Sequence, residues 1–187
     1  MQQSFTISLL TQTISFTSTP PASAVVGGPT YTVSATASSG LAVTFTIDSA
    51  SAGVCALSGS AVWMIGAGTC TINANQAGNG TYQAAQVQQS FSVSRGPQTI
   101  TLTTTPPNAD KNDPPYMIGA TANSGLAVVF TTDPSSNGVC SVSGNTVSFD
   151  GARGTCIVYG NQPGDAAWLP APQVQQVFQV KNHTQGG

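Results

Sequence analysis

The residues able to do chemistry are few, and their spacing limits what they could do. Four cysteines stand at Cys55, Cys70, Cys140 and Cys156, in two pairs 15 and 16 positions apart. There is one histidine, His183, and all 6 acidic residues are aspartates. A thiol pair can close a disulfide or hold a soft metal. A serine beside a histidine and an acid can hydrolyse an acyl bond. Two facing carboxylates can cleave a glycosidic bond, and several hard oxygens can hold Ca²⁺. Exposed Trp63, Trp168, Tyr31, Tyr82 or Tyr116 could stack on sugar rings.

Most of these chemistries fail on the sequence itself. No G-x-S-x-G elbow occurs, and His183 sits in the tail, away from any acid that could orient it. One histidine cannot build a multi-histidine metal site. Asp48 and Asp133 hold matching places in the two halves of the chain, one per half instead of a pair. Asp110 and Asp113 are neighbours, but the first half carries Ala22–Gly28 there without an acid, which excludes a Ca²⁺ site shared by both halves. No lysine precedes Arg95, so the first half cannot form a Lys–Asn isopeptide crosslink. The sequons Asn79-Gly80-Thr81 and Asn182-His183-Thr184 match the N-glycosylation pattern, and the expectation is that neither is modified. No catalytic residue, cofactor or metal ligand is expected.

Composition narrows the partners. Of 187 residues, 5% are charged, and 4 basic residues with a net charge of −2 cannot neutralise a nucleic-acid backbone. No run of about 18 apolar residues is present, so no membrane insertion is expected. Disorder does not fit either: 40% of the residues are hydrophobic and the mean hydropathy is +0.07. The start, Met1-Gln2-Gln3-Ser4, lacks a basic segment and an apolar segment, so no signal peptide is read there.

The elements that position these residues are repeated. Gln12-Thr13-Ile14 returns as Gln98-Thr99-Ile100, and Thr19-Pro20-Pro21 as Thr105-Pro106-Pro107. Ser39–Val43 returns as Ser124–Val128, Gly53-Val54-Cys55 as Gly138-Val139-Cys140, and Gly68-Thr69-Cys70 as Gly154-Thr155-Cys156. Gln86–Gln89 returns as Gln173–Gln176. Gln2–Ser8 matches Gln88–Ser94, so residues 1–10 read as the last strand of a preceding repeat plus a linker. The organisation expected is repeat one over 11–95, repeat two over 96–182 and a tail over 183–187, cut from a longer tandem array.

Within repeat one, β-branched and aromatic runs predict strands near 12–18, 30–37, 42–48, 54–58, 61–66, 69–75 and 86–94. Val43-Thr44-Phe45-Thr46-Ile47 alternates with period two, as a half-buried strand does. Ser58-Gly59-Ser60 and Ser143-Gly144-Asn145 read as hairpin turns. No window carries a helical period. Seven short strands in each half predict an all-β chain of two tandem immunoglobulin-like antiparallel β-sandwich domains. The expected cores are Phe16, Leu41, Phe45, Ile47, Val62, Ile72 and Phe91, and then Leu102, Leu126, Phe130, Val147, Phe149, Ile157 and Phe178. The short joint Ser94-Arg95-Gly96-Pro97 predicts a stiff, elongated pair.

The repeat also sorts the cysteines. Only Cys55–Cys70 and Cys140–Cys156 keep each half self-contained, linking the fourth strand to the sixth. The alternative is two buried thiols per repeat; zinc would lack a histidine or a third cysteine nearby. Trp63 has no counterpart, because Ser148 stands in its place. An exposed Trp63 would therefore be the candidate ligand contact.

These separated motifs, over residues 12–182, resemble tandem bacterial immunoglobulin-like repeats of large secreted and cell-surface proteins, adhesin-like ones among them. The resemblance implies a non-catalytic stalk or spacer segment, extracellular or on the bacterial surface, whose partners are neighbouring repeats of the same or another chain. A surface glycan or protein is a further possible partner. Two alternatives differ in kind. In one, Phe5 and Ile7 belong to an assembly strand that adds to another subunit's sheet and builds a filament. In the other, the chain is a glycan-binding adhesin module.

Overall fold

In this computed structural model the described residues are 7–182, and they divide into two compact units at the Gly96–Pro97 step. The first carries β1 (Ile14–Phe16), β2 (Ala24–Val25), β3 (Tyr31–Thr32), β4 (Ala35–Ala37), β5 (Thr44–Ile47), β6 (Cys55–Ser58), β7 (Ala61–Met64), β8 (Gly68–Gln76) and β9 (Ala85–Ser94). One sheet has the order β2-β9-β8-β5. The facing layer is β3-β7-β6, with β1 paired to β4. The run expected over 30–37 is interrupted at Val33-Ser34, so that it pairs with β7 through β3 and with β1 through β4. The first strand is divided in a similar way: β1 serves one layer and β2 the other.

All these pairings are antiparallel except β2 with β9, where Ala24 lies opposite Val93 and Val25 opposite Ser94. Only two residues long and set between Pro-Pro and Gly-Gly, β2 gives no alternation for sequence reasoning to find. The β6–β7 hairpin closes with Ser58 opposite Ala61. Gly59 has φ +60°, while no residue other than glycine has positive φ among the described residues, which is the pattern of a type II′ turn.

The second unit repeats this arrangement. It contains β10 (Ile100–Leu102), β11 (Ala109–Asp110), β12 (Tyr116–Met117), β13 (Ala120–Ala122), β14 (Val129–Thr132), β15 (Cys140–Ser143), β16 (Thr146–Phe149), β17 (Gly154–Asn161) and β18 (Val174–Lys181). Its sheets are β11-β18-β17-β14 and β12-β16-β15, with β10 on β13. Again only the first-to-last pairing, β11 with β18, is parallel. The chain is thus all-β, two tandem sandwiches of the immunoglobulin-like type.

Each core lies between the layers. Val62 and Ile72 are 0% exposed, as are Val147 and Val158. Burying one such side chain stabilises by about 1.5–3 kcal/mol. Phe16, Leu41, Phe45 and Ile47 are half-buried at the margin, as are Leu102, Leu126, Phe130 and Phe149, while Phe91 and Phe178 are buried. One core assignment needs correction. Ile157 is half-exposed, and Val158 takes the core position. Cys156 must face inward to meet Cys140, and period-two alternation then turns Ile157 outward.

The described helical content is two single 3₁₀ turns, Ser49–Ser51 and Pro134–Ser136. Asp48 and Asp133 cap them, accepting the N–H of Ala50 at 3.0 Å and of Ser135 at 2.8 Å. Both aspartates therefore sit at strand ends and hold turns.

Candidate functional site

The four cysteines form two bridges, one in each unit. Cys55 on β6 meets Cys70 on β8 at 2.00 Å, and Cys140 on β15 meets Cys156 on β17 at 1.97 Å. In each case the two strands belong to opposite layers, so the bond ties sheet to sheet in the middle of the core. Closing a loop of this length stabilises by about 3 kcal/mol in the chain-entropy model.

A second repeated set of contacts is polar, partly buried, and was missed by sequence reasoning. Gln12 Nε2 donates to Gln76 Oε1 at 2.8 Å and to the Gln83 carbonyl at 2.6 Å, and Ser39 Oγ donates to Gln12 Oε1 at 2.5 Å. Repeat two reproduces this. Gln98 Nε2 donates to Gln162 Oε1 at 2.8 Å and to the Leu169 carbonyl at 2.7 Å, and Ser124 donates to Gln98 Oε1. In each unit one amide fastens the chain just before β1 or β10 to the end of β8 or β17. Further along, Tyr31 Oη donates to Gln89 Oε1 at 2.7 Å, and Tyr116 donates to Gln176 Oε1. Ser51 and Ser136 are buried, and their hydroxyls accept the N–H of Thr71 and Ile157. The signal was present in the sequence: these glutamines are the repeated letters of the motifs.

The aromatic residues fall into two groups. Tyr31 packs edge-on against Phe91, and Tyr116 against Phe178, both with ring centroids 5.7 Å apart. Burial raises the Tyr116 phenol to about 12. Trp63 behaves differently. Val62 and Met64 face the core, so Trp63 faces out and is 42% exposed. Ile65 on the same face is 50% exposed, and Ala56 lies opposite Trp63 across the β6–β7 ladder. In repeat two the matching face holds Ser141, Ser148 and Asp150, with Ser141 Oγ donating to Asp150 at 2.9 Å.

Charge is concentrated at one end of repeat two. Asp110, Arg153 and Lys181 line an open cleft of about 830 Å³ where β11 and β18 end and β17 begins. Lys181 Nζ lies 3.3 Å from Asn108 Oδ1, and Asp113 accepts the N–H of Asp110 at 2.8 Å. Elsewhere in repeat two, hydrogen bonds from Ser135 and Tyr159 hold the Asp133 carboxyl below its usual range, and Asp133 in turn raises Tyr159. No group of three metal-ligating side chains occurs among the described residues.

Phe5 and His183 lie outside the described residues. Ile7 is described; it is 79% exposed and belongs to no strand. Asn79 sits in a turn, where its Oδ1 accepts the N–H of Thr81 and of Tyr82, both at 2.8 Å.

No family model matches the sequence, and no curated protein matches it. Solved structures similar to it include human protocadherin-24 EC1-2, at 13% identity and TM-score 0.38, covering 88% of this chain and 93% of that one. Mouse protocadherin-24 EC1-3 is 12% identical at TM-score 0.37, covering 88% of this chain and 66% of that one. Domains 1-6 of surface layer protein SbsC are 13% identical at TM-score 0.38, covering 92% of this chain and 28% of that one.

Proposed function

We propose that this chain is a non-catalytic, load-bearing spacer segment of an extracellular, repetitive bacterial surface protein, whose partners are neighbouring repeats. The observation that carries this reading is the parallel pairing of first strand with last in each unit. Opposed pulls on the start of β2 and the end of β9 load their hydrogen bonds sideways and together, not one after another. Val26 N–H donates to the Ser94 carbonyl at 3.0 Å in this seam, and Lys111 N–H to the Lys181 carbonyl at 3.0 Å in the other. The two disulfides and the scarcity of ionisable side chains agree with an oxidising, non-enzymatic setting.

Single-molecule pulling of the whole chain tests this. Two unfolding events are expected, and Lys111→Pro, which deletes one seam donor, should lower the force of one event and leave the other unchanged. Two low-force events indifferent to Lys111→Pro would overturn the load-bearing role. Light scattering adds a check: mass that grows with concentration would instead favour filament assembly.

A second reading, glycan binding, is favoured by the exposure of Trp63 beside Ile65. Binding to a glycan panel that is lost in Trp63→Ala supports it. No binding by the unmodified chain removes it.

A further inference from the structure

We propose that Asn79 is a self-modifying site, which converts to aspartate through a cyclic imide formed with Gly80. The side chain is exposed and folded forward over the Gly80 peptide unit by two hydrogen bonds: Oδ1 accepts the N–H groups of Thr81 and Tyr82, both at 2.8 Å. Gly80 has no side chain to crowd the approach, and the space a Cβ would fill is open, with nothing within 4 Å. In the reaction the Gly80 nitrogen attacks Asn79 Cγ. Negative charge then develops on Oδ1, the atom that already faces two backbone donors. This is the arrangement of an oxyanion hole, with donors fixed in advance where charge appears.

The step balances with water as the only other reactant. The Gly80 N–Cγ bond forms, the Cγ–Nδ2 bond breaks, and Nδ2 leaves as ammonia carrying the proton that Gly80 gives up. Water then opens the imide. Opening at Cγ leaves aspartate, and opening at the main-chain carbonyl leaves isoaspartate.

The molecule already displays the first product. Asp165 holds the matching position in repeat two, where its Oδ1 accepts the N–H of Ala167 and Trp168, both at 2.8 Å. A carboxylate therefore fits this turn, and its hydrogen bonds are charge-assisted. An internal control is present as well. Asn137 also precedes a glycine, Gly138, but no hydrogen bond to its side chain is found among the described residues.

The experiment is incubation of the whole chain in ¹⁸O-water at mildly alkaline pH, followed by peptide mapping of both sites. Asn79 should exchange its amide for a labelled carboxyl about 10-fold or more faster than Asn137, a fraction of what such donors supply in enzymes. Unfolding the chain in urea should slow Asn79 to the pace of Asn137, and Gly80→Ala should slow it in the folded chain. Equal rates at the two sites, or faster conversion of Asn79 on unfolding, would overturn the proposal.

Discussion

The two repeats agree inside and diverge outside. Each has the same sheet order, a disulfide between the same two strands, a glutamine joining the chain before β1 or β10 to the end of β8 or β17, and a tyrosine bonded to an inward glutamine. On the outer face of the three-stranded layer the likeness ends. Ala56, Trp63 and Ile65 in one repeat become Ser141, Ser148 and Asp150 in the other. Near the seam, Val25 and Ser94 become Asp110 and Lys181. The interior is what makes a repeat a repeat, whereas the surface is where each repeat acquires its own character.

The bridges offer the strongest test of this internal equivalence. Replacing Cys55 and Cys70 with alanine should cost repeat one about 3 kcal/mol, and replacing Cys140 and Cys156 should cost repeat two about the same. Urea unfolding can be read separately through Trp63 and Trp168, since each repeat has one tryptophan. Losses differing by more than about 1.5 kcal/mol, half the loop-closure term, would show that the two interiors are not equivalent.

The glutamines should behave less evenly. Gln98 is 2% exposed and Gln12 is half-exposed. Gln98→Ala removes a donor from buried Gln162 Oε1, which keeps only the Gly164 N–H, and takes the acceptor from the Ser124 hydroxyl; it should cost about 2–3 kcal/mol, and Gln12→Ala about 1 kcal/mol. Equal costs would mean that burial does not set the difference.

The smallest effect is one of pH. Burial pushes the Tyr116 phenol up to about 12 in the folded chain from its ordinary 10.0. Below pH 10 both the folded and unfolded states keep the proton, and this contribution is intact. As pH rises toward 12 the unfolded state loses the proton first, so repeat two loses stability. The Trp168-detected midpoint should fall across that window, and Tyr116→Phe should flatten the fall. A midpoint that drops equally in Tyr116→Phe would exclude this phenol as the cause.

What could be read in advance was whatever obeys a short-range rule. Alternation in Val43–Ile47 marks a half-buried strand, glycine marks the Gly59 turn, and the repeat sorts the cysteines. Parity was legible in principle but easily lost: Cys156 inward requires Val158 inward, and Ile157 was the tempting but incorrect core residue. The glutamines were hidden for a different reason. A polar side chain reads as solvent-facing until its partner is known, and Gln89 finds Tyr31, 58 positions away, only once the sandwich is closed. Trp63 is an intermediate case, settled once Val62 and Met64 were seen to be core.

The bridges also set how far a broken repeat can lengthen. With Cys55 joined to Cys70, the 15 residues of that span cannot be drawn out, and the unravelled repeat is shorter by about 50 Å at ~3.5 Å per residue. The β6–β7 hairpin stays looped off the extended strand. A tether made of such repeats would have its stretched reach governed by redox state, gaining about 50 Å for every bridge that a reductant opens.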